Sequence, residues 1–276
     1  MYKPLDNGHC HAVREATFTV FFRFTLTPDV TRKIVQYGRE HWPELPRVED
    51  IPAGMPVGLP VDAAAGPAFA LMSSASFMSF KPDGSVRWRV QAAQNSIMVN
   101  CLDYTGWDDV AGRAFAYLNQ CLAQMNDRQY QPMAAQIQYL NGFNWQGEIE
   151  QADAGTILRR NCPLIPEAFW GHMPSAEWHL NQGYFSETPI EEPGRILHHQ
   201  NVFAQIEASP TNRVAALGID LTHRFDLRRF RSGQGALEPG GYLIPVFDTL
   251  RRIARADLRL YLKDEILASI RAEALE

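Results

Sequence analysis

The amino-acid sequence predicts an α+β fold in which antiparallel β-meanders pack against long helices. Runs of alternating apolar and polar residues come in groups, each followed by an amphipathic helical pattern, and this order occurs twice along the chain. The chain has 276 residues, of which 46% are apolar and 21% charged, so it can bury a sizeable core. We therefore expect two similar halves, 1–145 and 146–276, packed as one compact unit.

The first predicted elements are a strand, a helix and a loop. Residues 16–26 alternate between phenylalanine or valine and polar residues, as a half-buried strand does. Thr27 and Pro28 are typical of an N-cap followed by the first residue of a helix, which we expect to end before Pro43. Residues 43–67 contain six prolines and three glycines, which predicts a long loop, since proline cannot donate a backbone hydrogen bond.

A β-meander and a long helix complete the first half. Turn sequences at 81–84 and 94–95 separate three alternating segments, which predict three strands. Residues 106–126 carry one apolar stripe at helical spacing. Residues 134–143 alternate again, which predicts a further strand.

The second half repeats this order less clearly. Residues 146–175 show no regular pattern and are partly acidic. Alternation returns at 176–186, 196–207 and 213–222, which predicts three strands. A helix is expected over 242–262, and a short final helix after it.

Composition limits the class of function and the location of the protein. The formal net charge is -5 and the sequence pI is near 5.9, which gives no general attraction to nucleic acid or to anionic membranes. No apolar run approaches the ~20 residues that span a bilayer, and the first residues do not resemble a signal peptide. The four cysteines are widely spaced. We expect a cytoplasmic protein without a membrane partner.

A basic ridge is the main electrostatic feature. On the predicted helix, Arg251, Arg255, Arg259 and Lys263 stand one turn apart. Residues 213–263 hold ten basic and five acidic residues, so this acidic chain has a basic C-terminal region. The ridge predicts a protein partner or self-association, with nucleic acid as a second candidate. The alternative is a solvated helix face, or one paired with acidic residues of the same chain.

Histidines provide the candidates for catalysis and metal binding. Asp220 and His223 could form an acid–base pair, but residues three apart on a strand point to opposite faces unless the strand ends between them. His198 and His199 raise the question of a metal site with His223, yet neighbouring strand residues point apart, and zinc needs three or four ligands. The motif at 9–11, His-Cys-His, raises the same question. We expect no metal and no cofactor.

Several short motifs occur in the same order as in a known group of proteins. They are Glu15–Phe18, Gln94–Asn100, Trp107, Gln138–Asn141 and Gly218–Leu221. This pattern resembles a sporadically distributed family of uncharacterised bacterial proteins, in which a strand ending in Asn-Trp precedes a helix and a Tyr-x-Asn-Arg strand. In this chain Cys101 follows Asn100, and Gly142 follows Asn141. The resemblance implies no particular reaction. The patchy distribution of the family is similar to that of bacterial defence and accessory genes.

Three functional hypotheses follow. The first is a non-enzymatic binding or regulatory protein, a candidate component of a bacterial defence or accessory system, because the basic ridge is present and no catalytic signature was found. The second is a hydrolase-type enzyme with Asp220 and His223 between the halves. The third is a small-ligand binder with an apolar cavity. The aromatic residues that could line this cavity are Phe18, Phe22, Phe77, Trp88, Phe115 and Tyr139.

Overall fold

The computed structural model has a ten-stranded antiparallel sheet with helices packed against it. The described residues are 1–4, 12–51, 74–125, 131–187, 194–208, 213–227, 241 and 243–270. The strands are β1 (Tyr2–Pro4), β2 (Val13–Phe22), β3 (Arg47–Ile51), β4 (Ser74–Phe80), β5 (Val86–Ala93), β6 (Ser96–Cys101), β7 (Pro132–Trp145), β8 (Trp178–Glu187), β9 (Arg195–Ala208) and β10 (Arg213–Asp226). The helices are α1 (Pro28–His41), α2 (Trp107–Ala123), α3 (Leu243–Tyr261) and α4 (Asp264–Ser269), and short 3₁₀ turns cover Ile149–Gln151, Ala154–Thr156 and Glu167–His172.

The strand order places β7 near the middle of the sheet. The order is β3-β4-β5-β6-β2-β7-β10-β9-β8, and β1 pairs with the end of β7 beyond β2. Strands that follow one another in the chain mostly pair with one another, as short turns between antiparallel strands favour. The two sets of strands meet at β7, which pairs with β2 on one side and with β10 on the other.

The helices α1, α2 and α3 pack on one face of the sheet. Alternate strand residues such as Phe18 and Ile137 point to this face and join Ile34, Leu118 and Leu250 in the main core. Fully burying an apolar side chain of this size stabilises the fold by about 1.5–3 kcal/mol. The core therefore holds each helix through its apolar stripe.

A second core lies at the other end of the sheet. Tyr2, Phe143, Leu158, Tyr261 and Ile266 belong to this second core, and all are nearly inaccessible to solvent. Its residues come mainly from β1, the end of β7, the region between β7 and β8, parts of β9 and β10, and the C-terminal helices. The segment between β7 and β8 lacks regular strands, in agreement with the irregular pattern of residues 146–175.

The α+β class is confirmed, but the sheet dominates and the helices are short. The prediction of long helices is wrong in this respect, because the longest helix, α3, has 19 residues. The start of α1 is as predicted: Pro28 is its first residue, and the Thr27 hydroxyl accepts a hydrogen bond from the Val30 backbone N–H at 3.4 Å. The predicted loop over 43–67 begins differently, since Arg47–Ile51 forms the edge strand β3. The remainder of that loop lies outside the described residues.

Within the described part of the chain, no helix is both long enough and apolar enough to cross a bilayer.

We predict that Gly38→Ala lowers the free energy of unfolding, although alanine favours helices. A Cβ at Gly38 in α1 would lie 2.5 Å from the Phe77 ring and 2.7 Å from the Trp42 ring, and such overpacking costs about 1–3 kcal/mol. The matched control is Gly112→Ala in α2, where a Cβ meets nothing within 4 Å. We expect that change to stabilise the protein by about 0.5–1 kcal/mol. Urea unfolding measures both, and equal effects would contradict this packing of α1.

Candidate ligand-binding site

A pocket lies between the start of α2, one side of α3 and the helix-bearing face of the sheet. Its volume is about 60 Å³, several times the roughly 10–15 Å³ that one water molecule needs on the same measure. Its apolar walls come from β2, α2, β10, α3 and the residue after α4. They include Val13, Trp107, Leu221, Ala254, Leu258 and Ile270.

Two buried polar side chains on β7 line the floor of the pocket. Tyr139 and Asn141 are two residues apart, so both point to the helix-bearing face. They are 7% and 1% exposed. The Asn141 amide donates a hydrogen bond to the Ile219 carbonyl at 3.2 Å, which fixes the orientation of the side chain. The Tyr139 hydroxyl and Asn141 Oδ1 have no hydrogen-bond partner among the described residues. Buried polar atoms without a partner are uncommon and often mark a binding site.

Two arginines of α3 form the basic side of the pocket. Arg251 and Arg255 are one helical turn apart and half-buried. The Arg251 guanidinium carbon lies 4.7 Å from the centre of the Trp107 ring, which holds it over an aromatic face. Burial lowers the pKa of Arg255, and the positive charges of Arg251 and Arg259 lower it further. The site is therefore electropositive, and a bound anion would relieve this repulsion.

The tyrosine hydroxyls of the pocket are neutral donors. Burial raises the pKa of Tyr104 to about 12, against the opposing effect of Arg251 and Arg255. Burial raises the pKa of Tyr139 well above its usual value, again against those two arginines. The rings of Tyr104 and Tyr139 meet edge to face, with centroids 6.2 Å apart. At neutral pH these side chains can donate hydrogen bonds to an anion without carrying charge themselves.

The start of α2 adds a further positive element. Gly106, which lines the pocket, has φ 147° and ψ 163°, a conformation that glycine alone adopts readily. No side chain caps this end of the helix. The N-terminal end of a helix carries partial positive charge and unpaired N–H groups, both of which favour an anion. Asp108 and Asp109 in the first turn partly offset this charge.

The basic ridge of the sequence analysis divides in the structure. Arg251 and Arg255 line the pocket, whereas Arg259 is exposed near the end of α3. Lys263 lies beyond that end, because α3 stops at Tyr261, and it donates to the Thr156 carbonyl at 3.1 Å. Lys263 is therefore not part of a continuous ridge with the arginines.

The structure does not bring Asp220 and His223 together. Strand β10 runs without a register shift past both residues, so they point to opposite faces of the sheet. Asp220 accepts hydrogen bonds from Gln138 at 3.0 and 2.9 Å, and burial raises the pKa of its carboxyl group. His223 is 0% exposed on the helix-bearing face, where its Nδ1 lies 3.0 Å from Nδ1 of His198.

Sequence reasoning found only part of this site. Tyr139 was among the predicted cavity residues and does line the pocket, but the other five aromatic residues of that set pack in the main core. Tyr104 and Asn141 also line the pocket and were not candidates. For Asn141 a signal existed, since a polar residue at an inward position of an apolar strand needs a partner.

Comparisons with known proteins give no functional assignment. No protein-family model and no curated protein matches the chain. Two solved structures show weak similarity. The di-domain ARO/CYC StfQ of the steffimycin biosynthetic pathway has 13% identity and a TM-score of 0.16, with 89% of this chain and 96% of that chain covered. The di-domain ARO/CYC BexL of the BE-7585A biosynthetic pathway has 13% identity and a TM-score of 0.19, with 90% and 97% covered. Similarity at this level carries no argument.

We predict that Tyr139→Phe leaves stability unchanged or raises it, and weakens ligand binding. The hydroxyl has no partner among the described residues, so its removal relieves a burial cost of about 1–3 kcal/mol. The control is Tyr117→Phe, since Tyr117 donates to Glu44 at 2.6 Å. We expect this control to lose about 0.5–1.5 kcal/mol. Urea unfolding compares the two variants. A large loss of stability in Tyr139→Phe would show that the hydroxyl has a structural partner.

Proposed function

We propose that this chain is a non-enzymatic binding or regulatory protein whose pocket between α2, α3 and the sheet holds a small organic anion. One observation carries the proposal. The half-buried guanidinium groups of Arg251 and Arg255 line the same apolar pocket as the Tyr139 hydroxyl and Asn141 Oδ1, which find no hydrogen-bond partner in the described part of the chain. Small-molecule sites commonly combine apolar walls with a few convergent polar groups in this way.

The polar groups indicate the chemistry of the ligand. Arginine recognises carboxylate and phosphate groups through paired hydrogen bonds, which favours an anionic head group near Arg251 and Arg255. Asn141 Oδ1 is an acceptor, so it calls for a hydroxyl or amino group on the ligand. The apolar walls suit a short hydrocarbon or aromatic body. A hydroxylated aromatic carboxylate combines these features.

Two similar halves would explain where this pocket lies, and we retain that prediction here. The order of elements repeats, but the second repeat begins at β7, which lies inside the predicted half 1–145. A first strand (β2 or β7) is followed by a meander whose last strand returns to pair with the first, as β6 does with β2 and β10 with β7. A helix that packs on the sheet follows each meander: α2 in one case and α3 in the other. The lining residues of the pocket come from both sides of the predicted boundary at 145 and 146.

The other functional hypotheses differ in their support. A hydrolase that uses Asp220 with His223 is disfavoured by their placement on opposite faces of β10. A protein or nucleic-acid partner for the basic ridge has less surface to use, because Arg251 and Arg255 are half-buried at the pocket. Self-association, a role in a bacterial defence or accessory system, membership of the resembled family and a cytoplasmic location stay predictions.

We predict that para-hydroxybenzoate binds the wild-type protein and that Arg251→Gln with Arg255→Gln weakens binding about 100-fold or more. Loss of hydrogen bonds to a charged group costs about 1.5–3 kcal/mol each, where 1.4 kcal/mol is tenfold. The control is Arg252→Gln, which removes an exposed charge from the same helix outside the pocket. Isothermal titration calorimetry measures the affinities, with benzoate and benzylamine as companion probes.

The outcomes separate the alternatives. Weaker binding of benzoate than of para-hydroxybenzoate, and none of benzylamine, is expected. Equal affinity for the cation benzylamine, or equal weakening by Arg252→Gln, would contradict an anion site at this pocket.

A further inference from the structure

A buried polar layer separates the two apolar cores on the helix-bearing face of β9 and β10. Along these strands, Ile196 and Phe225 belong to the main core, whereas Val202 and Ile219 belong to the second core. Between these two pairs, β9 and β10 have four residues that face the helices, and three of the four are polar. They are His198, Gln200 and His223. Asp257 of α3 packs onto this layer, and these four residues are at most 7% exposed.

Three potential metal ligands converge in this layer. His198 and His223 are directly opposed in the β9–β10 register, and their Nδ1 atoms are 3.0 Å apart. Asp257 Oδ2 lies 3.9 Å from His198 Nδ1 and 3.8 Å from His223 Nε2. One ligand atom from each residue can be chosen so that all three lie within 4.8 Å of one another. These residues come from two strands and one helix, so the tertiary fold assembles the cluster.

Surrounding side chains orient two of the three ligands. His198 Nε2 forms a hydrogen bond with the Ser186 hydroxyl at 2.7 Å, which leaves Nδ1 toward the cluster. The Gln200 amide donates to Asp257 Oδ2 at 2.5 Å. Gln200 is itself fixed, because its Oε1 accepts from the Tyr261 hydroxyl at 2.8 Å. Metal-binding histidines and carboxylates in proteins are usually oriented by hydrogen bonds of this kind.

One nitrogen in the layer lacks a partner. His223 is 0% exposed, and its Nε2 has no hydrogen-bond partner among the described residues. Asp257 is the nearby acid, but at 3.8 Å it is beyond hydrogen-bond distance. The buried carboxylate of Asp257 lies beside two imidazoles, and no lysine or arginine among the described residues is within ion-pair distance of it. A bound cation would give a partner both to His223 Nε2 and to the Asp257 carboxylate.

We propose that His198, His223 and Asp257 hold a divalent transition-metal ion of the zinc type. Two imidazoles and one carboxylate form a ligand set known for zinc and for other divalent transition ions. Ligand atoms bound tetrahedrally at about 2.0–2.2 Å lie roughly 3.3–3.5 Å apart. Asp257 Oδ2 lies slightly farther than this from the two ligand nitrogens, at 3.9 Å from His198 Nδ1 and 3.8 Å from His223 Nε2. The 3.0 Å contact of His198 Nδ1 is with the other nitrogen of His223, Nδ1, and the ion would replace it. A water molecule would take the fourth position. The expectation of no metal made from the sequence stays a prediction, and this proposal is the alternative to it.

The ion would fix α3 to β9 and β10. Asp257 lies on the same helix as Arg251 and Arg255, so the metal would hold the helix that supplies the basic side of the pocket. The metal site does not depend on the proposed anion binding, because its three ligands lie outside the pocket. A failure of either proposal leaves the other standing.

Metal binding to the full-length protein tests this directly. After chelator treatment and dialysis, we expect zinc chloride to bind at one equivalent and to raise the melting temperature. His223→Gln and Asp257→Asn should each weaken this binding at least 100-fold. The matched control is His199→Gln, since His199 is the exposed neighbour of His198 on β9 and contacts Asn181 on the other face of the sheet. It should bind zinc as the wild type does.

Co²⁺ bound in place of zinc reports the type of ligand through its visible absorption, and this test uses the wild-type protein alone. The wild type should show the visible absorption of Co²⁺ with nitrogen and oxygen ligands and without a thiolate band. A thiolate band would place the ion at cysteine, for example in the His-Cys-His motif at 9–11. A thiolate band would overturn the proposal. So would the absence of stoichiometric zinc binding by the wild type, or full zinc binding by a folded His223→Gln variant. The layer would then be a hydrogen-bonded histidine pair.

Discussion

The packing of α3 across β7 and β10 is the interaction on which both candidate sites depend. Phe247, Leu250 and Ala254 lie on the buried face of the helix and anchor it in the main core. Because 3.6 residues complete a turn, the neighbouring positions fall on defined sides. Arg251 and Arg255 therefore reach the pocket beside α2, whereas Asp257 reaches the histidines of β9 and β10. A shift of one turn in α3 would move every one of these groups.

Both sites contain buried polar atoms that make no hydrogen bond with the described residues, so their burial lowers the stability of the fold. The Tyr139 hydroxyl, Asn141 Oδ1 and His223 Nε2 are all unpaired among the described residues. An apolar replacement at such a position would usually be more stable. Proteins retain costly groups of this kind where they act on a ligand, and these three atoms border a basic pocket and a cluster of metal-type ligands. They are three of ten such atoms among the described residues, and none of the other seven belongs to a residue that lines this pocket or to the cluster of metal-type ligands.

The sequence predicts the local structure of this chain well, and its long-range contacts poorly. The Thr27 cap and the turn at 81–84 depend on residues close in the chain, and both occur as predicted. The opposition of His198 and His223 depends on the β9–β10 register, which alternation alone does not specify. Likewise, Asp257 lies on the buried side of α3, and a single acid in a helical pattern does not reveal its partner.

The same limit applies to the basic ridge. Helical spacing placed Arg251, Arg255, Arg259 and Lys263 in one row, but the end of α3 at Tyr261 depends on tertiary contacts. The Arg159 backbone N–H donates to the Tyr261 carbonyl at 2.8 Å, which gives that group a partner at the helix end. The spacing of these residues along one side of a helix was predictable. It was not predictable that two would line the pocket, one would face solvent and one would lie beyond the helix end.

Native mass spectrometry of the gently purified protein tests the central claim, that the pocket holds a small organic anion, most directly. We expect the wild type to carry an additional small acidic compound of defined mass, released on denaturation. The Arg251→Gln, Arg255→Gln variant should show only the mass expected from its own sequence, without that compound, while keeping the fold of the wild type. A wild type that carries no small molecule but co-purifies with a protein or nucleic acid, and loses that partner on the same two changes, would contradict the claim.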